Sequence, residues 1–168
     1  MFRYCHGLTN VSIFCKWYLY RSQIFLIVSS ILVLSSRDVK PNLSDMLRPS
    51  MQTLKHIVLN IYVVAVLDDP LFGIPSEFED MGSKDIIETV TIMVRMDASC
   101  HRGEDWGRLD EVLTAQGWFP LKRVSLTIKI NFELSSELEV TLRNLPETQF
   151  PRLSSSNSVS FDFEVIPA

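Results

Sequence analysis

Cysteine is scarce. The three present, Cys5, Cys15 and Cys100, are odd in number and irregularly spaced. They make no disulfide framework and fit a reducing, intracellular compartment, cytoplasmic or nuclear. The familiar signatures of chemistry are missing as well. There is no G-x-S-x-G elbow, no glycine-rich phosphate loop and no H-E-x-x-H pair, so nothing points to an activated nucleophile, a nucleotide or a zinc hydrolase. Cys5-His6 and Cys100-His101 carry ligand-type side chains, but adjacent ligands are geometrically awkward and the usual two-to-four-residue spacing is absent, so no metal or other cofactor is expected. Basic residues are not concentrated either. The net charge is −4, with both signs spread along the chain, which speaks against nucleic acid as a partner.

A long apolar run is also lacking. A spanning helix needs about 20 apolar residues. Here Ile24 to Leu34 is interrupted by Ser29 and Ser30, and extending it backwards meets Arg21 and Lys16. The run is therefore read as a buried helix or strand, or as an insertion. The competing reading is a membrane anchor or export signal, since Lys16 and Arg21 precede it and Ser35 and Ser36 follow. Only under that reading would the glycosylation-type triplets Asn10-Val11-Ser12 and Asn42-Leu43-Ser44 matter.

What the chain does have is a repeat. In Leu121-Lys122-Arg123-Val124-Ser125-Leu126-Thr127-Ile128 a leading Leu is followed by apolar residues three, five and seven positions on. Leu54 to Ile61 and Ile87 to Val94 carry the same pattern, at offsets of 33 and 34. Ser156 to Phe163 is a weaker fourth copy, and Leu8 to Cys15 a fifth. Near-constant spacing of strand-like segments marks stacked repeats, and the first interval exceeds the others by about a dozen residues, the suspected insertion. This divides the chain into residues 1–42, an irregular first repeat with an apolar insertion, and 43–168, the regular repeats.

Short helices are expected between the strands. Leu43, Met46 and Leu47 have helical spacing, stopped by Pro49. Ser76-Glu77-Phe78-Glu79 has the spacing of a capping box, which would start a helix at Ser76 with Phe78 and Met81 inward and Gly82 at its end. Glu77, Glu79 and Asp80 could be imagined as paired carboxylates, but two of them fit capping and helix-dipole roles without any catalysis. Trp106, Leu109, Val112 and Leu113 form one helical stripe, capped by Gly117. Ser136-Glu137-Leu138-Glu139 suggests another capping box, opening a helix with Leu138, Leu142 and Leu145 inside and Pro146 at its end.

Strand, helix, strand units of this length most simply make parallel neighbours with the helix crossing one face. The expected fold is α/β: a short curved β/α solenoid with its helices on one side. Ile57, Leu59 and Ile61, with Val90, Ile92, Val94, with Val124, Leu126, Ile128, and with Val159, Phe161, Phe163, would lie under the helices. Alternation sends the intervening residues to the other face. Its rows would be Val58, Thr91, Ser125, Ser160; Asn60, Met93, Thr127, Asp162; and Tyr62, Arg95, Lys129, Glu164. The candidate binding residues there are Asn60, Tyr62, Thr91, Arg95, Ser125, Thr127, Lys129, Ser160 and Asp162, since an uncovered polar strand face is what such folds turn to binding. His56 is expected to be structural or at an edge.

The pattern resembles a leucine-rich-repeat solenoid, with a longer period and no Asn equivalent at Tyr62 or Lys129. Leu47-Arg48-Pro49-Ser50 with Thr53-Leu54-Lys55, Phe78-Glu79-Asp80-Met81, Trp106-Gly107-Arg108-Leu109-Asp110 with Leu113, and Phe119-Pro120-Leu121-Lys122-Arg123-Val124 together resemble the C-terminal repeat region of fungal F-box proteins, over about residues 43 to 132. In that family the repeats select a target while an N-terminal F-box docks onto a ubiquitin-ligase scaffold. No F-box-like segment precedes the repeats here, and Leu145-Pro146-Glu147 lies at the wrong end to be one. The resemblance implies a noncatalytic module that binds another protein, and it carries over no catalytic residue.

Overall fold

The computed structural model describes residues 9–18, 21–28, 47, 52–63, 69–82, 86–97 and 103–167. Four parallel strands alternate with helices: β3 (His56–Val63), β4 (Thr89–Met96), β5 (Arg123–Ile130) and β6 (Ser160–Ile166). Ahead of them come β1 (Asn10–Tyr18), parallel to β3, and β2 (Arg21–Val28), which folds back antiparallel to β1. The six-stranded order is β2-β1-β3-β4-β5-β6. The sheet is not curled, so the curvature expected of a solenoid is not part of what the strands display.

Ile, Val and Leu at alternate positions decide the register. Ile57, Leu59, Ile61 and Val63 pair with Val90, Ile92, Val94 and Met96, and those with Val124, Leu126, Ile128 and Ile130; all twelve are buried. Burying one such side chain stabilises by about 1.5–3 kcal/mol, and a one-residue slip would turn a whole strand's set to water. The fifth copy also holds, with Val11 opposite Ile57.

The fourth copy is displaced. Val124 stands opposite Phe161, not Val159, and Ser125, Thr127 and Lys129 stand opposite Asp162, Glu164 and Ile166. The cause is local. Ser156 Oγ accepts from the Val159 amide at 3.1 Å and the Ser158 amide at 3.3 Å, which holds 156–159 in a turn and delays the strand to Ser160. A shift of two residues keeps every side chain on its expected face. Val159 stays buried, while Phe161 and Phe163 are partly buried at the sheet's end.

Helix α1 (Ile74–Met81) begins two residues before the expected capping Ser. Gly73 takes φ 78°, a left-handed turn open to glycine, and Pro75 suits the first helical turn, so Ser76 lies inside the helix and caps nothing. Phe78 and Met81 face the core as expected, and Gly82 closes the helix by donating to Phe78 O at 2.9 Å. Helix α2 (Asp105–Leu113) buries Trp106, Leu109, Val112 and Leu113, but Thr114 caps it rather than Gly117. Gly117 instead lies in a 3-10 turn, Gln116–Trp118, where it packs on the Gly82 backbone. Helix α3 (Ser136–Arg143) is capped one residue earlier than expected, by Ser135 Oγ accepting from the Leu138 amide. The second capping box is therefore not formed, and Glu139 pairs with Arg143 one turn on at 2.9 Å. Leu142 and Leu145 are buried, Leu138 partly. Pro146 ends α3 by opening a new turn, α4 (Leu145–Thr148), which is followed by α5 (Pro151–Ser154).

Ile24 to Val28 belong to strand β2. Residues 29–34, Cys5-His6, Cys100-His101, the Asn42 triplet and the expected helix at Leu43 and Met46 lie outside the described residues, though Leu47 is described and buried. Among the described residues no helix is long and apolar enough to cross a membrane.

Candidate functional site

Among the described residues every helix packs on the face of the sheet that carries the apolar set. The alternate side chains of β3 to β6 form the other face. Parallel pairing sets them in four rows across strands about 4.8 Å apart. They are His56, Thr89, Arg123, Ser160; Val58, Thr91, Ser125, Asp162; Asn60, Met93, Thr127, Glu164; and Tyr62, Arg95, Lys129, Ile166. The nine residues predicted from sequence all share this face. Asn60, Tyr62, Thr91, Arg95, Ser125 and Thr127 are half-buried, and Lys129, Ser160 and Asp162 are exposed.

The displaced register changes their neighbours. Asp162 lies beside Ser125 rather than Thr127, and Ser160 beside Arg123. Arg123 was missed, although alternation carried one step back from Ser125 reaches it. Its Nε donates to Asp162 Oδ2 at 2.7 Å. His56 falls in the same row, part-exposed, rather than at a sheet edge.

The polar groups on this face differ in how far the chain itself engages them. Among the described residues, the side chains of Asn60, Thr91, Ser125, Thr127 and Ser160 make no hydrogen bond to another residue. The Arg95 guanidinium lies 5.4 Å from the centre of the Tyr62 ring, a cation–π contact.

Just before the strands a different ladder forms. Glu88 lies between Lys55 (3.2 Å) and Lys122 (2.7 Å), at matching positions of three successive repeats. The backbone does the same, with the Glu88 amide donating to Lys55 O and the Lys122 amide to Glu88 O. Hydrogen bonds from Lys122, then Lys55, hold the Glu88 carboxyl below its ordinary value.

On the helix side a depression of about 300 Å3 opens between α1 and α2, lined among others by Glu79, Glu111, Val112 and Trp118. Its two carboxylates are already engaged. Arg108 holds Glu79 at 2.6 Å and Arg152 holds Glu111 at 2.8 Å. Of the three acidic residues considered as catalytic candidates, Glu77 lies in the first turn of α1 and Asp80 is exposed. Among the described residues no three His, Cys, Asp or Glu side chains stand close enough to hold a metal.

Comparison with protein-family models, with curated proteins and with solved structures finds no match to this chain.

Proposed function

We propose that this chain is a noncatalytic protein-interaction module, a leucine-rich-repeat-like segment that recognises another protein through its uncovered strand face. The observation that carries the reading is the one-sidedness of the sheet. Helices cover the apolar side, while the opposite side presents half-exposed hydroxyl, amide and charged groups in ordered rows, several without a side-chain partner among the described residues. Repeat stacks build binding surfaces by presenting equivalent positions of successive units side by side in this way. The uncurled sheet suits a short stack of few units rather than a horseshoe. The resemblance to the target-selecting repeats of fungal F-box proteins agrees with the same role, in which the chain supplies recognition and leaves any chemistry to another component.

The test is directional. A photo-crosslinking residue replaces Thr127 on the strand face, or Glu111 on the helix side, in the full chain. The expected result is that Thr127 labels a discrete partner protein in cells and Glu111 does not. A substitution series at Ser125, Lys129 and Asp162 should lower that labelling. Labelling from the helix side alone, or a series without effect, would overturn the reading.

A further inference from the structure

Two kinds of charge row cross these strands, and they are built oppositely. At the strand entrances the signs alternate, Lys55, Glu88, Lys122, and each cation meets a carboxylate within 3.2 Å. Arg123 is likewise matched by Asp162 on the next strand. The last row of the open face is different. Arg95 and Lys129 are direct cross-strand neighbours, Tyr62 stands next to Arg95, and the same register position on β1 is Lys16. Among the described residues neither Arg95 nor Lys129 has an ion pair, and the nearest carboxylate in sequence, Asp97, accepts instead from Asn131 Nδ2 at 2.8 Å. Like charges set opposite each other on neighbouring strands destabilise a sheet. In a chain of net charge −4, this row holds two adjacent cations and, among the described residues, no carboxylate.

We propose that the row Tyr62, Arg95, Lys129 anchors an acidic segment of the partner, an extended stretch bearing Asp or Glu side chains. This deepens, and rests on, the reading of the strand face as a protein-binding surface. The Arg95 fork, laid over the Tyr62 ring, is oriented before binding and can take a carboxylate through two parallel N–H donors, while Lys129 adds a second charge-assisted contact. The hydroxyls of Thr127, in the adjoining row, and Ser125, one row further, lie along the path of an extended segment. A nucleic-acid strand fits less well. A polyphosphate carries charge at every unit and would set it against Asp162 and Glu164 on the same face, whereas a peptide can bring its carboxylates to the Arg95–Lys129 row and uncharged residues to the rows that hold Asp162 and Glu164.

The probe is a fluorescein-labelled peptide alternating Glu and Ser, titrated into the full chain by anisotropy beside a matched Gln–Ser peptide and an oligothymidylate. The Glu–Ser peptide should bind, weaken with added salt and lose affinity at least about tenfold in the double variant Arg95→Ser, Lys129→Ser, the loss expected when charge-assisted contacts are removed. Lys129→Glu should abolish binding while raising Tm, because it gives Arg95 an opposite neighbour; that gain separates lost recognition from lost folding. Equal binding of the Gln–Ser peptide, tighter binding of the oligothymidylate, unchanged affinity in the double variant or a lower Tm for Lys129→Glu would overturn the proposal. If Thr127 crosslinking persists in the double variant, the face reading stands and the acidic anchor alone falls. Without Thr127 crosslinking in the unaltered chain, both fall.

Discussion

Asp110 Oδ1 accepts a 2.8 Å hydrogen bond from the Leu153 amide, joining α2 to the start of α5 across 43 residues. Oδ2 takes the Arg152 amide at 3.0 Å. Phe150, at the N-cap of α5, has no side-chain oxygen, so a carboxylate from another helix does the capping. Asp110 is only 2% exposed, a buried polar side chain with a partner on each oxygen.

Replacing it should therefore cost more than an ordinary surface cap. Asp110→Ala leaves one buried and one part-buried amide unpaired and should destabilise by about 2–3 kcal/mol, read as a lower urea midpoint at unchanged slope. Asp110→Asn keeps one acceptor but turns an amide donor toward a backbone donor. It should fall between the two, and an Asn variant as stable as the parent would count against the capping role.

Glu88 predicts an acid-sensitive contribution. Its folded pKa lies below the ordinary 4.5, so the stability it adds is fully present above that value and is lost as pH falls through the folded one. Glu88→Gln should be less stable than the parent at neutral pH, and the gap should close in acid and narrow with salt. Thermal melts across a pH series check both trends.

Asp69 predicts the opposite sign. Burial first, and the neighbouring Asp105 charge after it, push its carboxyl above the ordinary 3.8, although the Leu71 amide first, then the Trp106 side chain and the Gly103 amide, pull the other way. An acid with a raised folded pKa binds its proton more tightly in the folded state, so ionised Asp69 subtracts from stability, and the penalty lifts as pH falls through that pKa. Asp69→Asn keeps an acceptor for the Leu71 amide, now at 2.9 Å. The variant should melt higher than the parent at neutral pH, with the advantage shrinking in mild acid.

The two glycines that meet between α1 and the 3-10 turn should respond unequally. A methyl group on Gly117 would strike the Gly82 backbone carbonyl, whereas one on Gly82 would strike the Trp118 indole. Backbone cannot step aside as a side chain can. Gly117→Ala should cost about 1–3 kcal/mol by overpacking, and Gly82→Ala less. Chemical denaturation of the two variants ranks them.

Much of the architecture was legible because it is periodic. Ile57, Val90 and Val124 recur at near-constant spacing, and alternation from them correctly sorted nine face residues from the core. The Trp106, Leu109, Val112, Leu113 stripe was equally plain. What escaped reading was set by local hydrogen bonds that periodicity does not record. Ser156 delays β6 by two residues, Gly73 and Pro75 start α1 ahead of Ser76, and Ser135 caps α3 in place of Ser136. The hairpin of β1 and β2 was hidden for another reason. Ile24 to Val28 is continuously apolar, and such a run does not tell a strand from a helix. The charges of the open face could be placed from sequence, but which of them lacked a counter-ion depended on the register, and that only coordinates supply.

The spatial order of β3 to β6 follows the chain, and each of them hydrogen-bonds only to the strands at its sides. Such a stack melts like a zipper, from its ends inward, because losing an outer unit removes one interface while losing an inner one removes two. Amide exchange should accordingly be slowest in β4 and faster toward β6. A partner laid across all four strands would slow exchange most at the outer strand, acting as a splint on the element that otherwise opens first.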